Sequence, residues 1–318
     1  MTGHEPYPVA RSRFRKVAED GHVSTARLKM SSIKRGLSYV AKNGLPPRRL
    51  RSITDQAAQR SLAMQYRLLA TTAPAALPEL KDTYMRAYSQ NGEDGALLFL
   101  FSVLGTTSRV AVEICAGDGI QCNSANLIVN HGWDGLLVDG NPALVERGRK
   151  FYSRCPDTFS SPPIFRNEWV TAENVNDLVI DSGIGADIDL LSLDLDGVDY
   201  WVWKALDFIS PRVVVLEYQD IWGPDVAKTV PYRPDFTGDP AFNYQGASLL
   251  AFVKLARSKG YRLVGTEHLG FNAFFVRDDV GPSVIPEMDH RQCFSHRKVR
   301  DGMRDRLPKV EHMSWVDV

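Results

Sequence analysis

Short apolar runs alternate with amphipathic stretches between residues 85 and 280, and this alternation indicates the fold. Five of the apolar runs predict strands buried on both faces of a sheet, as strands of parallel sheets usually are. They cover residues 109–115, 135–139, 164–170, 188–194 and 212–217. Helical patterns separate them, at residues 124–131, 142–152, 172–181 and 200–209. Regular alternation of this kind predicts a doubly wound α/β domain.

Two further strand-like runs follow each other too closely to be parallel. A helix pattern over residues 246–258 ends at Gly260, and apolar runs follow at 261–266 and 272–277. A parallel connection needs about a dozen residues, so the short gap between these runs predicts an antiparallel hairpin. Five parallel strands closed by such a hairpin form the seven-stranded, Rossmann-like sheet of class I methyltransferases.

Both ends of the chain differ from this central region. Residues 1–84 are basic and helix-prone, and they predict a helical N-terminal extension. Within it, Ser52 and Asp55 have the spacing of a helix start. Residues 281–318 are polar and interrupted by proline, which predicts a C-terminal tail or lid. The expected division is therefore 1–84, 85–280 and 281–318, with the extension packed on the body or on a second copy of the chain.

Composition and charge exclude several classes of protein. The chain has 318 residues, of which 44% are apolar, so it can form a globular core. The 38 basic and 38 acidic side chains cancel, but residues 1–60 hold 13 Lys/Arg against 4 Asp/Glu. No apolar run approaches the roughly 20 residues of a membrane span, and the N-terminal residues have no apolar signal region, so we expect no secretory signal. The four cysteines lack zinc-site spacing and predict reduced thiols in a cytoplasmic protein.

The ends of the first two predicted strands carry residues suited to a nucleotide-like cofactor. A glycine-containing turn, VEICAGDG, runs from Val112 to Gly119, and glycine lets the backbone approach a ligand closely. Asp139 closes the second strand, 26 residues after Glu113, where an acid can bind a ribose diol. These two features indicate an adenosine cofactor and leave NAD and S-adenosylmethionine open. The closing hairpin and the absence of G-x-G-x-x-G spacing favour S-adenosylmethionine.

Acidic residues cluster where the fourth and fifth predicted strands end. Asp194, Asp196 and Asp199 lie within six residues, and Glu217 closes the fifth strand. One interpretation is a Mg²⁺ site that includes Asp194 and Glu217 and activates an acceptor hydroxyl. A second is a metal-free site in which one of these acids is a general base, and a third is helix capping by Asp196 and Asp199. His268, in the hairpin turn, is a further candidate base.

Five segments together resemble the FkbM-like branch of class I S-adenosylmethionine-dependent methyltransferases. The resemblance spans roughly residues 85–280. Cys115 departs from it, because it occupies the place of the first glycine of the family's turn. The segments are SQNGEDG at 89–95, VEICAGDG at 112–119 with QCNS at 121–124, GLLVDG at 135–140, DLLSLDLDGVDY at 189–200 and NAFFVR at 272–277.

The resemblance implies a role for each matching residue. Gln90, Asn91 and Glu113 would lie at the methionine end of the cofactor, Asp139 at the ribose, and Asp194 near the sulfonium and the acceptor. The implied cofactor-binding residues are Gln90, Asn91, Glu113, Ala116, Gly117, Asp118, Gly119, Asn123, Asp139, Gly140 and Asp194.

The acid-rich site favours oxygen as the methyl acceptor, because an alcohol must lose a proton during transfer. We therefore expect O-methylation of a small-molecule or glycan hydroxyl. The long loop after the fifth strand is expected to form the acceptor pocket, with Tyr218, Trp222, Tyr232 and Tyr244 as walls. Two alternatives remain. One is a nucleic-acid methyltransferase whose basic N-terminal segment contacts phosphates, although that segment has few aromatic residues. The other is a non-catalytic S-adenosylmethionine-binding scaffold, which Cys115 favours.

Overall fold

A seven-stranded mixed sheet forms the centre of the computed structural model, which describes residues 53–238 and 243–318. Most of the basic N-terminal segment lies outside the described residues. The sheet order is β3-β2-β1-β4-β5-β8-β7. The strands are β1 (Val110–Ile114), β2 (Asp134–Asp139), β3 (Ile164–Asn167), β4 (Leu190–Leu193), β5 (Val213–Glu217), β7 (Tyr261–Thr266) and β8 (Asn272–Arg277), and β6 (Lys228–Thr229) forms a separate pair with β9 (Val316–Asp317).

The direction of each strand confirms the predicted sheet. Neighbours from β3 to β5 are parallel, whereas β8 runs antiparallel to both β5 and β7. Chain order reverses between β1 and β4, so the helices that follow these two strands leave on opposite sides. The protein therefore has the Rossmann-like fold of class I methyltransferases, closed by the hairpin that the short 267–271 connection predicts.

Burial explains why these segments form strands. Every residue of β4 is buried, as are the first four residues of β5, and apolar side chains from both faces enter two core clusters. The third strand is shorter than its apolar pattern predicts. It ends at Asn167, and Trp169 lies beyond the strand with 54% of its surface exposed.

Helices cover the sheet as expected, and three further α-helices of the described residues were not predicted. The helix at Glu93–Leu104 has no counterpart among the predicted elements, because residues 93–102 are buried on all sides and show no amphipathic period. The helices at Arg297–Asp305 and Leu307–Val310 lie in the segment that was predicted as a tail or lid. No helix within the described residues is long and apolar enough to cross a membrane. The helices are α1 (Ile53–Thr72), α2 (Glu93–Leu104), α3 (Ala125–His131), α4 (Pro142–Tyr152), α5 (Val175–Ile180), α6 (Asp199–Ala205), α7 (Leu249–Ser258), α8 (Arg297–Asp305) and α9 (Leu307–Val310).

Capping side chains mark the start of α4 and of α7. The helix start predicted at Ser52 lies outside the described residues, and α1 is described from Ile53 onward. The Asn141 side chain accepts a hydrogen bond from the Ala143 backbone N–H, with the Oδ1 and N atoms 3.0 Å apart, and α4 begins at residue 142 as predicted. α7 begins three residues later than its pattern indicates, because Ser248 provides the N-terminal cap.

The C-terminal segment packs against the body rather than extending away from it. Val299 of α8 is fully buried, and α8 contacts a short 3-10 helix at Asp220–Trp222 that follows β5. The short strands β6 and β9 pair in antiparallel fashion and hold the last residues in place. This arrangement brings residues 297–306 beside the carboxyl end of β5.

Candidate active site

A cleft of about 630 Å³ opens at the carboxyl ends of β1, β2 and β4. Cys115, Asp139 and Asp194 stand at these three strand ends and line it. Strand order reverses between β1 and β4, and open α/β sheets bind their ligands at such a switch point. The volume lies within the range of small-molecule sites. The topology alone therefore places a ligand-sized cleft where the sequence predicts one.

Asp139 fixes the glycine-containing turn to the neighbouring strand. Its Oδ2 accepts a hydrogen bond from the Gly117 backbone N–H at 2.8 Å, and its Oδ1 accepts one from Asn141 at 2.7 Å. Gly117 has a φ of +60°, a conformation that glycine adopts freely. Cys115 adopts a similar φ of +62° without that freedom. The half-buried Asp139 carboxylate thus supports the turn and still faces the cleft.

Glu113 lies behind the cleft and organises the start of α3. Its buried carboxylate accepts hydrogen bonds from the backbone N–H groups of Asn123 and Ser124, at 2.8 and 2.7 Å. Hydroxyl groups of Ser124 and Ser192 donate to the same carboxylate. The Asn123 side chain also donates to Ser192 Oγ at 3.0 Å. The predicted residues Glu113 and Asn123 therefore contact each other and do not line the cleft.

The other predicted turn residues also have partners outside the cleft. Asp118 forms an ion pair with Arg147, and its Oδ1 accepts from the Ile120 N–H at 3.0 Å. A Cβ atom on Gly119 would lie 2.6 Å from the Leu137 side chain, so this position requires glycine for packing.

Of the implied cofactor-binding residues, the structure brings four to the cleft wall. Ala116 is buried beside the turn, and the Asn91 backbone N–H donates to Glu93 Oε2 at 2.8 Å. The four that line the cleft are Gln90, Asp139, Gly140 and Asp194.

Three carboxylates meet at one end of the cleft. Oxygen atoms of Asp194, Asp196 and Glu217 all lie within 4.8 Å of one another. Gln245 joins two of them, since its Nε2 lies 2.9 Å from Asp196 Oδ1 and 3.4 Å from Glu217 Oε2. Asp196 has a φ of +53°, an uncommon backbone conformation for a residue with a side chain. We call these three acids the carboxylate cluster.

Burial and mutual repulsion raise the pKa values in the carboxylate cluster. Burial raises the pKa of Glu217 to about 8, and the negative charges of Asp196 and Asp199 add to this effect. Burial, followed by the charge of Glu217, raises the pKa of Asp194 well above its usual value. Asp194 and Glu217 also share a hydrogen bond. The pair therefore retains a proton at neutral pH, as carboxyl groups in close contact do.

Asp199 does not belong to the carboxylate cluster, because its carboxylate binds backbone N–H groups of the turn before α6. Its buried carboxylate accepts hydrogen bonds from the Leu195 and Gly197 backbone N–H groups at 2.7 and 3.2 Å. Burial raises its pKa to about 6, although these two hydrogen bonds oppose the shift. Of the two acids considered for capping, Asp199 holds the turn before α6, whereas Asp196 belongs to the carboxylate cluster.

A smaller cavity of about 190 Å³ lies on the other side of Glu217. Tyr218 lines it together with Lys298 and Arg306 from the C-terminal segment. Both cations pair with the buried Asp220, and the Lys298 Nζ lies 3.1 Å from its Oδ2. The C-terminal segment thus contributes positive charge beside the carboxylate cluster.

His268 is not brought to the cluster. It lines a separate small cavity, where its ring stacks edge-on against His296 with centroids 5.3 Å apart. Two of the predicted acceptor walls also lie elsewhere. Trp222 and Tyr244 both pack against Trp315, each with ring centroids 5.0 Å apart. Of the four predicted wall residues, Tyr218 lines the smaller cavity.

Several residues of the site were not identified from the sequence. Trp169 lines the cleft and donates from its indole Nε1 to the Pro234 carbonyl oxygen at 2.6 Å. Phe236 and Gln245 come from the long segment after β5, whose path is not encoded in any periodic pattern. Residues that follow the carboxyl ends of parallel strands line the ligand site. Because β3 ends at residue 167 and not at 170, Trp169 is such a residue, and a correct strand end would have predicted it.

Comparison with known proteins finds similarity among solved structures. No protein-family model matches the chain, and no curated protein matches it. Among solved structures, the methyltransferase domain of bacterial CtHen1 is 17% identical, covers 59% of this chain and 98% of its own, and has a TM-score of 0.39. The CcbJ methyltransferase from Streptomyces caelestis is 13% identical, with coverages of 63% and 96% and a TM-score of 0.38.

A third similar structure is the magnesium protoporphyrin IX methyltransferase ChlM from Synechocystis PCC 6803 with bound SAM. It is 12% identical, covers 77% of this chain and 96% of its own, and has a TM-score of 0.31. Likeness at this level carries no argument about activity or substrate. The fold assignment of this chain accordingly rests on its own strand order and strand directions.

Proposed function

We propose that the chain is an S-adenosylmethionine-dependent methyltransferase that methylates a hydroxyl group of a small-molecule or sugar acceptor. The observation that carries this proposal is that Asp194 belongs both to the switch-point cleft and to the carboxylate cluster. A cofactor in the cleft and an acceptor at the cluster would therefore meet at one residue.

The cleft has the features that an adenosine cofactor requires. Each oxygen of Asp139 accepts one backbone hydrogen bond and keeps a further lone pair, so the carboxylate can also accept from a ribose diol. The exposed Trp169 ring offers an apolar face for a base, and Gln90 offers an amide to the methionine end. When bound, S-adenosylmethionine supplies an activated methyl group, so the protein mainly positions the acceptor and accepts its proton.

The carboxylate cluster supports an alcohol acceptor. Asp194 and Glu217 hold a proton between them, whereas Asp196 is exposed and hydrogen-bonded by Gln245. We assign Asp196 as the base that accepts the hydroxyl proton and the Asp194–Glu217 pair as the group that orients the acceptor oxygen. Positive charge from Lys298, beside Glu217, limits the negative potential that an acceptor oxygen meets.

The same cluster has the donor set of a divalent-cation site. Three carboxylate oxygens within 4.8 Å of one another are hard ligands of the kind that Mg²⁺ prefers. A bound Mg²⁺ would supply Lewis acidity and lower the pKa of an acceptor hydroxyl. If the metal is required, treatment with EDTA removes turnover and added Mg²⁺ restores it. Full activity in EDTA leaves the metal-free base as the mechanism.

The proposed function is tested with Asp196→Asn, which removes the base and nearly preserves the side-chain volume. We expect turnover of sugar-hydroxyl acceptors to fall roughly 100-fold or more, with S-adenosylmethionine affinity within about twofold of wild type. Isotope-labelled methyl transfer and calorimetry measure the two quantities. Asp207→Asn, at an exposed position outside the cleft, is the matched control.

Two outcomes would contradict the proposal. If S-adenosylmethionine binds but no hydroxyl acceptor is methylated, the chain is a non-catalytic binding protein, which the strained Cys115 in the turn would favour. If DNA or RNA is methylated in preference to small hydroxyl compounds, the acceptor class is wrong although the cofactor assignment stands.

A further inference from the structure

A further cavity lies at the amino ends of the strands, where β1 and β2 begin. Its volume is about 280 Å³. Arg109 immediately precedes β1, and Trp133 immediately precedes β2, so the cavity stands at the amino ends of these strands. A five-residue strand such as β1 spans roughly 17 Å. The cavity is therefore separate from the cleft at the carboxyl ends.

Three arginines converge on this cavity. Arg60 and Arg67 come from α1, where Ala63 between them is buried against the body, so positions 60, 63 and 67 share one helix face. Arg109 reaches the cavity from the loop before β1. The lining contains no aspartate or glutamate. Within residues 53–238 and 243–318, no salt bridge joins any of these three arginines to an acidic group.

The positive charge of the three arginines affects the pKa of His131, at the end of α3. Burial, together with the smaller effect of the charges of Arg60, Arg109 and Arg67, lowers the pKa of His131 to about 4. Its Nε2 lies 2.8 Å from Gln59 Oε1, which also accepts from the Asn126 amide at 2.9 Å. The histidine is therefore neutral near pH 7 and held in place by a polar network, beside cations that it does not offset.

Two arginines elsewhere in the body are neutralised by neighbouring carboxylates. Arg212 pairs with the buried Asp189 at 3.2 Å, and Arg277 pairs with Asp279 at 2.7 Å. Three like charges around one concave surface repel one another unless an anion joins them. The guanidinium group forms paired hydrogen bonds with planar or tetrahedral oxyanions, and phosphate is one of the partners whose geometry it matches.

We propose that the cavity binds the phosphate group of a small phosphate ester. The arginine side chains hold the phosphate, and the organic part of the ester rests against the Trp133 and Phe101 rings, which pack edge-on with centroids 4.6 Å apart. A cavity of about 280 Å³ encloses a phosphate and a few carbon atoms. A nucleic-acid strand instead requires an extended basic stripe. This site is independent of the proposed methyltransferase activity.

The first test is titration of the full chain with inorganic phosphate at constant ionic strength. We expect saturable binding in calorimetry. The NMR titration of His131 should shift to higher pH when phosphate is bound, because the anion offsets the arginine charges. Arg67→Gln and Arg109→Gln should each weaken binding at least about tenfold. Arg86→Gln, at an exposed position outside every cavity lining described above, is the matched control and should leave binding unchanged.

Three results would overturn the proposal. Binding that is equal in wild type and Arg67→Gln excludes this site. Arg67 is exposed on α1, and circular dichroism checks that the variant is folded. A His131 titration unaffected by phosphate excludes contact with the cavity. Glycerol 3-phosphate binding more weakly than inorganic phosphate excludes an ester, because the organic part would then have no surface to occupy.

Discussion

Asp139 and Asp194 both end a strand of the same sheet, yet their surroundings differ. Asp139 accepts two backbone hydrogen bonds and faces a cleft lined mainly by uncharged residues. Asp194 faces two other carboxylates within 4.8 Å. Asp139, at the end of β2, is thus suited to accept hydrogen bonds, whereas Asp194, after β4, is suited to hold and exchange a proton.

The acceptor role of Asp139 gives the first prediction. Asp139→Ala removes both the candidate ribose contact and the support of the Gly117 turn, and we expect the dissociation constant for S-adenosylmethionine to rise at least about tenfold. Isothermal calorimetry measures this change. Asp134→Ala, at the exposed opposite end of β2, is the matched control. Unchanged affinity in Asp139→Ala would show that the ribose assignment is wrong.

Cys115 offers a test of backbone strain. A residue with a side chain at φ +62° costs about 1 kcal/mol relative to a right-handed conformation, and glycine avoids this cost. Cys115→Gly should therefore raise the free energy of unfolding by about 0.5–1 kcal/mol in urea denaturation. Cys115→Ala removes the thiol and keeps the strain, so it should show no gain. Equal stability of the two variants would contradict this interpretation.

Glu217 makes stability depend on pH. Its pKa is about 8 in the folded protein and near its usual value when unfolded, so the folded state binds more protons between those values. The free energy of unfolding should therefore fall as pH rises from about 5 to 8. Glu217→Gln cannot titrate and also lowers the pKa of Asp194, so this fall should be smaller.

Denaturation in urea at several pH values between 5 and 8 measures this effect. Glu311→Gln, at an exposed site, should keep the wild-type slope. If Glu217→Gln keeps the wild-type slope as well, Glu217 does not hold the proton assigned to it.

The site residues that stand at strand ends were predictable from the sequence pattern, whereas Gln90 followed from the family resemblance. Asp139, Asp194 and Glu217 follow from the rule that parallel strands present their carboxyl ends together. The roles of Glu113 and Asn123 did not follow, because hydrogen bonding to the start of α3 depends on the path of the turn. Gln245 was missed since it reaches the cluster from a segment without periodicity.

At the scale of elements, α8 and α9 depend on one buried acid. Asp220, in the 3-10 helix after β5, pairs with Lys298 and Arg306 while its side chain is only 2% exposed. Asp220→Asn should lower the free energy of unfolding by about 2 kcal/mol, because two partly buried cations lose their partner. Asp225→Asn breaks the exposed pair with Arg291 and should cost less than about 0.5 kcal/mol.

Chemical denaturation compares the two variants. Equal losses in Asp220→Asn and Asp225→Asn would show that the buried acid does not anchor the C-terminal segment. Limited proteolysis adds a local measurement, since release of α8 in Asp220→Asn should expose cleavage sites between residues 290 and 318.

Elements with a clear period were predicted well, and those without one were not. The hairpin bounds follow directly from the sequence, because two strand-like runs rich in apolar residues flank a gap too short for a crossover. α2 escaped detection because burial on all sides removes its amphipathic pattern. The late start of α7 depends on the cap at Ser248, which hydrophobic pattern alone does not reveal.

At the scale of the whole molecule, the order of the strands determines where stability lies. β1, β4 and β5 each have hydrogen-bonded neighbours on both sides, whereas β3 and β7 stand at the edges. Amide hydrogen exchange should therefore be slowest in β4, approaching the rate of global unfolding, and faster in β3. Mass spectrometry of exchange measures this order. Greater protection of β3 than of β4 would contradict it.

The cleft lies at the carboxyl ends of the strands and the arginine-lined cavity at their amino ends, and the two share no lining residue. α1 supplies two of the arginines at the amino ends of the strands, and the C-terminal segment supplies cations near their carboxyl ends. Cations from both flanking segments therefore surround an otherwise acidic domain. The net charge of zero for the whole sequence conceals this arrangement.

The position of β8 also affects how the protein folds during its synthesis. β5 is complete once residue 217 has been synthesised, but β8, its second partner, is not complete until residue 277. At translation rates of roughly 5–20 residues per second, the apolar edge of β5 waits several seconds for its neighbour. During that interval the nascent chain exposes an unpaired strand edge that another ribosome-bound copy can capture. Chaperone occupancy of the emerging chain is then most valuable just before the last hairpin leaves the ribosome.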